Sequence, residues 1–131
     1  MTVINSVLGP LDTTELGFML MHEHLIGSAP GISMNYPELL GENFMHRIIA
    51  GLTRAKEGGI DTIVDASTFD LGRDVRVLAE VSRQSGVNMI TCTGWFFNPA
   101  GTTSDWSMDQ CAQMFIREIE EGIAGTGIVE S

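Results

Sequence analysis

The sequence predicts an α/β fold built on parallel strands, and three observations carry that prediction. Short apolar runs of strand length alternate three times with amphipathic stretches of helical period. Glycines close two of the helical stretches and punctuate the end of the third. Connections of this length suit parallel pairing, because parallel neighbours need a crossover that antiparallel hairpins do not. Two architectures remain open at this point, a doubly wound open sheet and a piece of a (β/α)8 barrel. A nucleotide-binding open sheet is disfavoured. The first strand is followed by no Gly-x-Gly-x-x-Gly, and no Lys-Ser or Lys-Thr pair is present to cradle phosphate.

The elements follow in order. Residues 3–8, Gly9-Pro10 and residues 11–17 form a small hairpin or lead-in loop. A strand over 18–22 leads into a loop, 27–36, rich in Gly, Ser, Pro and Asn. The first helix starts near Pro37 or Glu42 and runs to Glu57, with Phe44, Ile48, Ile49, Leu52 and Ala55 on one face and Gly58-Gly59 as its stop. The second unit has a strand over 62–65, a turn through Asp70 and Gly72, and a helix over about 73–84. Val75, Leu78, Ala79 and Val81 point inward, and Gly86 ends the helix. The third has a strand over 88–93, a loop to Trp106 and a helix from Met108 to about Ile123. Met108, Cys111, Ala112, Phe115, Ile116, Ile119 and Ile123 form its apolar stripe, and Ser107 with Gln110 makes a capping box. A fourth strand is expected to begin at Ile128 after Gly125 and Gly127.

Composition narrows the function. The 131 residues fit one domain, 1–131. A net charge of −10 and a pI near 4.5 argue against nucleic acid as a partner. Hydrophobic residues at 44% and charged residues at 18% describe a globular chain. Two cysteines make no disulfide framework; Cys92 on a strand and Cys111 on a helical stripe read as free thiols in the core. No secretory signal or membrane-length apolar run is visible, and the chain reads as cytoplasmic.

The chemistry concentrates at the end of the first strand, Phe18-Met19-Leu20-Met21-His22-Glu23-His24-Leu25. Residues i and i+2 of a strand face one side, so the two imidazoles stand about 6–7 Å apart along the backbone and can share one Zn²⁺. The competing reading is two surface or capping histidines. The chain has only three histidines and two are here, which favours a metal. In a barrel, functional groups also sit at the C-terminal ends of strands. Glu23 points to the opposite side, either supporting a ligand from behind or serving structure alone. His46 lies off its helix stripe and reads as a surface residue. Gly72-Arg73-Asp74 reads as a capped helix start with a local ion pair rather than an anion site. Asp65 ends its strand facing either the mouth or the wall.

Met21-His22-Glu23-His24-Leu25, Thr62-Ile63-Val64-Asp65, Ser67-Thr68-Phe69-Asp70-Leu71-Gly72-Arg73-Asp74 and Phe115-Ile116-Arg117-Glu118-Ile119 together resemble the phosphotriesterase family of the amidohydrolase superfamily, in order and over essentially the whole chain. The resemblance implies the N-terminal part of a (β/α)8 TIM barrel: about three βα units plus an N-terminal hairpin. It implies two divalent metal ions at the barrel mouth, usually zinc, with His22 and His24 as ligands of the more buried one. It further implies a hydrolase of phosphotriesters or lactones, in which metal-activated hydroxide attacks a small-molecule ester. Pocket-lining aromatics map onto Phe96 and Phe97. The resemblance gives no role to nucleic acid or membrane and is compatible with a homodimer of the full-length form.

The family's remaining ligands are a carboxylated lysine, two further histidines and an aspartate on later barrel strands, and none has a counterpart in this sequence. A barrel of this kind takes about 250 residues. The isolated chain is therefore expected to be poorly stable and inactive, with exposed sheet edges and apolar faces. The alternative is a catalytically inactive truncated homologue, either a partner-binding module or a degenerate product.

Overall fold

The computed structural model describes residues 2–96 and 105–129. The chain opens with an antiparallel hairpin of β1 (Val3–Ser6) and β2 (Gly9–Asp12), its turn pinned by the Ser6 hydroxyl donating to the Gly9 carbonyl at 2.8 Å. A parallel sheet of β3 (Met19–Glu23), β4 (Thr62–Asp65) and β5 (Asn88–Thr91) follows, in that order, with β4 central. Helix α1 (Ile32–Asn35) is a single turn, and a 3-10 turn occupies Pro37–Leu40. The connections carry α2 (Phe44–Glu57) between β3 and β4 and α3 (Val75–Ser85) between β4 and β5. Helix α4 (Met108–Glu120) comes after β5.

The core joins these layers: Ile63 and Met89 from the sheet, Leu52 from α2, and Leu78, Ala79 and Val81 from α3. Val7, in the hairpin turn, packs into the same cluster and donates its N–H to the Met89 carbonyl at 2.9 Å. All four inward positions expected on α3 are buried. The local signals explain the helix ends. Asp74 accepts from the N–H groups of Arg76 and Val77, and Gly86 leaves the helix at φ +73°. The capping box of Ser107 and Gln110 is formed in both directions.

The structure corrects several expectations. Helix α2 begins at Phe44, because the backbone reaches φ +54° at Asn43, which breaks any continuous helix from Pro37 or Glu42. Cys92 falls one residue beyond β5 and is only half-buried, whereas Cys111 is buried as expected. The fourth strand is not formed at Ile128 among the described residues. Its carbonyl is taken by the Ile123 N–H and its N–H by the Thr126 hydroxyl, so a local turn uses the groups a ladder would need. Helix α4 also turns differently from its apolar stripe. It buries Cys111 and Glu118 and half-buries Phe115, while Met108, Ile116 and Ile119 stay 84%, 41% and 47% exposed. Two contacts set that rotation. Glu118 is drawn in by Arg73, and Phe115 meets Trp95 edge to face at 5.1 Å.

A tie at the N-terminal end of the sheet makes a pH prediction. Asp61 accepts from Lys56 Nζ at 2.8 Å and from the Phe18 N–H at 3.1 Å. These bonds, Lys56 first, lower its pKa below the ordinary 3.8. A depressed carboxylate stabilises the fold above its unfolded pKa and loses that contribution as pH falls through the folded value. Asp61→Asn is expected to lose less stability than the parent chain when denaturant midpoints are compared at pH 6 and below pH 3.8. Equal losses would contradict it.

Candidate functional site

Residues at the C-terminal ends of the three parallel strands converge. His22 lies in β3, and the ladder to β4 shifts register between Leu20 and Glu23, so Glu23 lies opposite Asp65. Across that irregularity His22 and His24 still share a side: their ring centroids are 5.2 Å apart and the rings meet edge to face, 77° between planes. Both residues are exposed. The same-side expectation for the His-x-His pair holds. Glu23 is half-buried, and its carbonyl accepts the Ala66 N–H. His46 is exposed on α2, as read from sequence.

Asp65 is closed off from solvent at the end of β4. It is 1% exposed, and its carboxylate spans two strand ends, accepting the Leu25 N–H at one oxygen and the Ser67 N–H at the other, each at 2.9 Å. Ser67 is equally buried, and its Oγ lies 3.1 Å from His24 Nδ1. Sequence reading missed Ser67 as a partner of His24. An aspartate at a strand end, bonding the backbone two residues on, is the signal that could have drawn attention to it.

The next layer holds the loop after β5. Asp70 accepts the Phe96 N–H at 3.0 Å and the Thr68 hydroxyl at 2.5 Å. Phe96 is 67% exposed, and Trp95 is turned onto α4. Phe97, the other aromatic expected at the mouth, lies outside the described residues. Among the described residues, the ion pair of Arg73 is not the local one expected at Gly72-Arg73-Asp74. Asp74 spends its carboxylate on the helix cap and on the Ser33 hydroxyl, leaving the guanidinium to reach Glu118. Arg73 bonds both Glu118 carboxylate oxygens, at 2.5 and 3.0 Å, and the Cys92 carbonyl at 2.6 Å. Thr93 donates its hydroxyl to the same carboxylate.

Two imidazoles on one strand end are a fitting part of a divalent-ion site, since neutral ring nitrogens suit zinc and its neighbours. Among the described residues, no group of three His, Cys, Asp or Glu side chains is placed to hold a metal ion. A concavity of about 460 Å³ lies beside the loop after His24, lined by Leu25, Ile26, Leu40, Phe44 and Arg47 among others, and neither histidine lines it. No helix among the described residues is long and apolar enough to cross a membrane.

Comparison with known proteins agrees with this arrangement. The chain is 36% identical to the "Phosphotriesterase homology protein" of Mycobacterium tuberculosis, over 98% of this chain and 43% of that protein. It is 32% identical to the aryldialkylphosphatase of Saccharolobus solfataricus, over 88% of this chain and 38% of that one. An N-acetyltaurine hydrolase of Xenopus tropicalis is 25% identical over 95% of this chain and 44% of its own length. The solved structure of the phosphotriesterase from Mycobacterium tuberculosis superimposes with a TM-score of 0.85 at 35% identity, covering 98% of this chain and 43% of that one. The chain thus spans less than half the length of these relatives, and its strand–helix units form part of a (β/α)8 barrel, as the sequence predicted. With the Phosphotriesterase family pattern matching residues 2–130, the order of motifs, the parallel sheet and the histidine pair have one common explanation: the chain belongs to the phosphotriesterase family.

Proposed function

We propose that this chain supplies the first-strand metal ligands of a metal-dependent hydrolase acting on small phosphotriesters or lactones. The observation that carries the reading is the His22–His24 pair, rings 5.2 Å apart at the C-terminal end of β3, in a chain of this family. His22 and His24 would hold one ion of a divalent pair, for which zinc suits the imidazole donors. When bound, such a pair makes water nucleophilic near neutral pH and polarises the scissile centre. The chain's own residues orient and enclose. Asp65 and Ser67 hold the His24 side of the pair. Phe96 offers an apolar surface to an ester leaving group, and Asp70 holds the backbone that presents it. Phe97 is proposed for the same wall.

Two imidazoles alone bind a divalent ion weakly, so full affinity needs donors beyond the described residues. That requirement keeps a second reading in play, a non-catalytic homologue that retains the motif without the rest of the set. Metal content separates them. Near two ions per chain, lost in His22→Ala, supports the enzyme; near none, unchanged by that substitution, supports the non-catalytic homologue. In the full-length protein, His22→Ala and His24→Ala are each expected to weaken zinc binding by at least about 100-fold, more than the 10–100-fold typical of a residue that only supports a ligand. Hydrolysis of a phosphotriester and of a lactone should fall in parallel. Assaying both substrates on the parent protein decides which class is preferred.

A further inference from the structure

The geometry points to Ser67, itself fixed by Asp65, as the positioning residue that orients the His24 ring and sets its tautomer, with Nδ1–H donating to Ser67 Oγ and Nε2 free to bind a metal. This rests on the metal reading of the pair, and it adds two residues that act through His24.

The argument begins with what is buried. Ser67 and Asp65 are each 1% exposed, whereas His24 is exposed. The 3.1 Å contact between Nδ1 and Oγ therefore ties a ring at the surface to a fixed point inside. The anchor is rigid at both ends. One Asp65 oxygen holds the N–H of Leu25, the residue directly after His24, and the other holds the N–H of Ser67 itself. A single carboxylate thus fixes the backbone on both sides of the contact, and Asp65 is held in turn between Glu23 and Thr91 in the sheet.

A neutral imidazole has one N–H and one lone pair, and the bond made by one nitrogen decides which function the other keeps. A serine hydroxyl can donate or accept, and accepting Nδ1–H from His24 is the arrangement that leaves the Nε2 lone pair available for a metal. His22 has no hydrogen bond to its ring among the described residues, and its ring contact is with His24. Fixing His24 therefore also limits where the His22 ring can lie.

Two readouts in the full-length protein test this. The first needs no metal: ¹⁵N NMR of the metal-free protein, above the imidazole titration, reports the tautomer of each histidine. Nδ1–H is expected for His24 in the parent and a mixture in Ser67→Ala, with exposed His46 unchanged. An Nε2–H His24 in the parent overturns the inference. The second is zinc affinity against a competing chelator. Ser67→Ala is expected to weaken it about 10–100-fold, with circular dichroism unchanged, and Ser67→Thr, which keeps the hydroxyl, to recover part of the loss. If His24→Ala abolishes tight binding while Ser67→Ala leaves it untouched, the positioning role fails and the metal site stands. If His24→Ala also leaves zinc affinity unchanged, the metal reading falls and this inference falls with it.

Discussion

Glu118→Ala is expected to destabilise the protein by about 3–5 kcal/mol, the loss that follows when one member of a buried ion pair is removed. The side chains of Arg73 and Glu118 are 3% and 11% exposed, so solvent cannot replace the missing carboxylate. The guanidinium would keep its bond to the Cys92 carbonyl, but its charge would stay buried without a counter-charge. Thr93 would lose its acceptor as well. The contact spans 45 residues and fastens α4 to the start of α3 and to the loop leaving β5. Its removal is expected to free α4 and the Trp95–Phe96 segment together. A double variant, Arg73→Met with Glu118→Leu, should recover much of the loss, because matched apolar side chains avoid the desolvation both ions incur. Arg73 Nε, buried and without a partner among the described residues, adds to what the double variant removes. Urea denaturation of the parent, Glu118→Ala and the double variant gives the three values. A double variant as unstable as the single would show that the pair's particular geometry is needed.

Gly72→Ala is expected to cost about 2–4 kcal/mol, from two effects acting at one atom. The residue sits at φ +79°, where a side chain costs roughly 1–2 kcal/mol by backbone sterics alone. A Cβ there would also lie 2.6 Å from the Ser28 carbonyl oxygen and 2.4 Å from its hydroxyl. The hydroxyl can rotate away. The carbonyl belongs to backbone held by the bond from Ser28 N–H to the Leu71 carbonyl, so the two loops must separate. These loops follow β3 and β4 at the histidine end of the sheet, and their separation should lower metal affinity as well as stability. Thermal melts of Gly72→Ala and of Gly59→Ala, a glycine also at positive φ but in open space, separate the clash from the strain. Equal effects in the two variants would rule the clash out.

The sequence made the site legible up to its first residues. His22 and His24 stand out because period-two geometry on a strand needs no tertiary knowledge, and their rings do share a side. Ser67 did not stand out. A serine in a loop becomes a partner of His24 only once β3 and β4 lie side by side, 43 residues apart in the chain. Arg73 was misplaced for the same reason: its nearest acid in sequence, Asp74, is occupied by the helix cap, and its acid in space comes from α4. The α4 stripe misled through its strength. Apolar periodicity showed a helix with an apolar face, but a buried ion pair and an aromatic contact chose which edge turned inward.

What the sequence determined by itself was what neighbours within a few residues decide: strand and helix alternation, the Ser107 cap, the Gly86 stop and the shared side of His22 and His24. These follow from backbone preference and from bonds closed within a turn or two of chain. The tertiary structure alone decided the register that sets Glu23 opposite Asp65, and with it the reach of one buried carboxylate from Leu25 to Ser67. Register sums many weak pairings along both strands, so no residue taken by itself carries it.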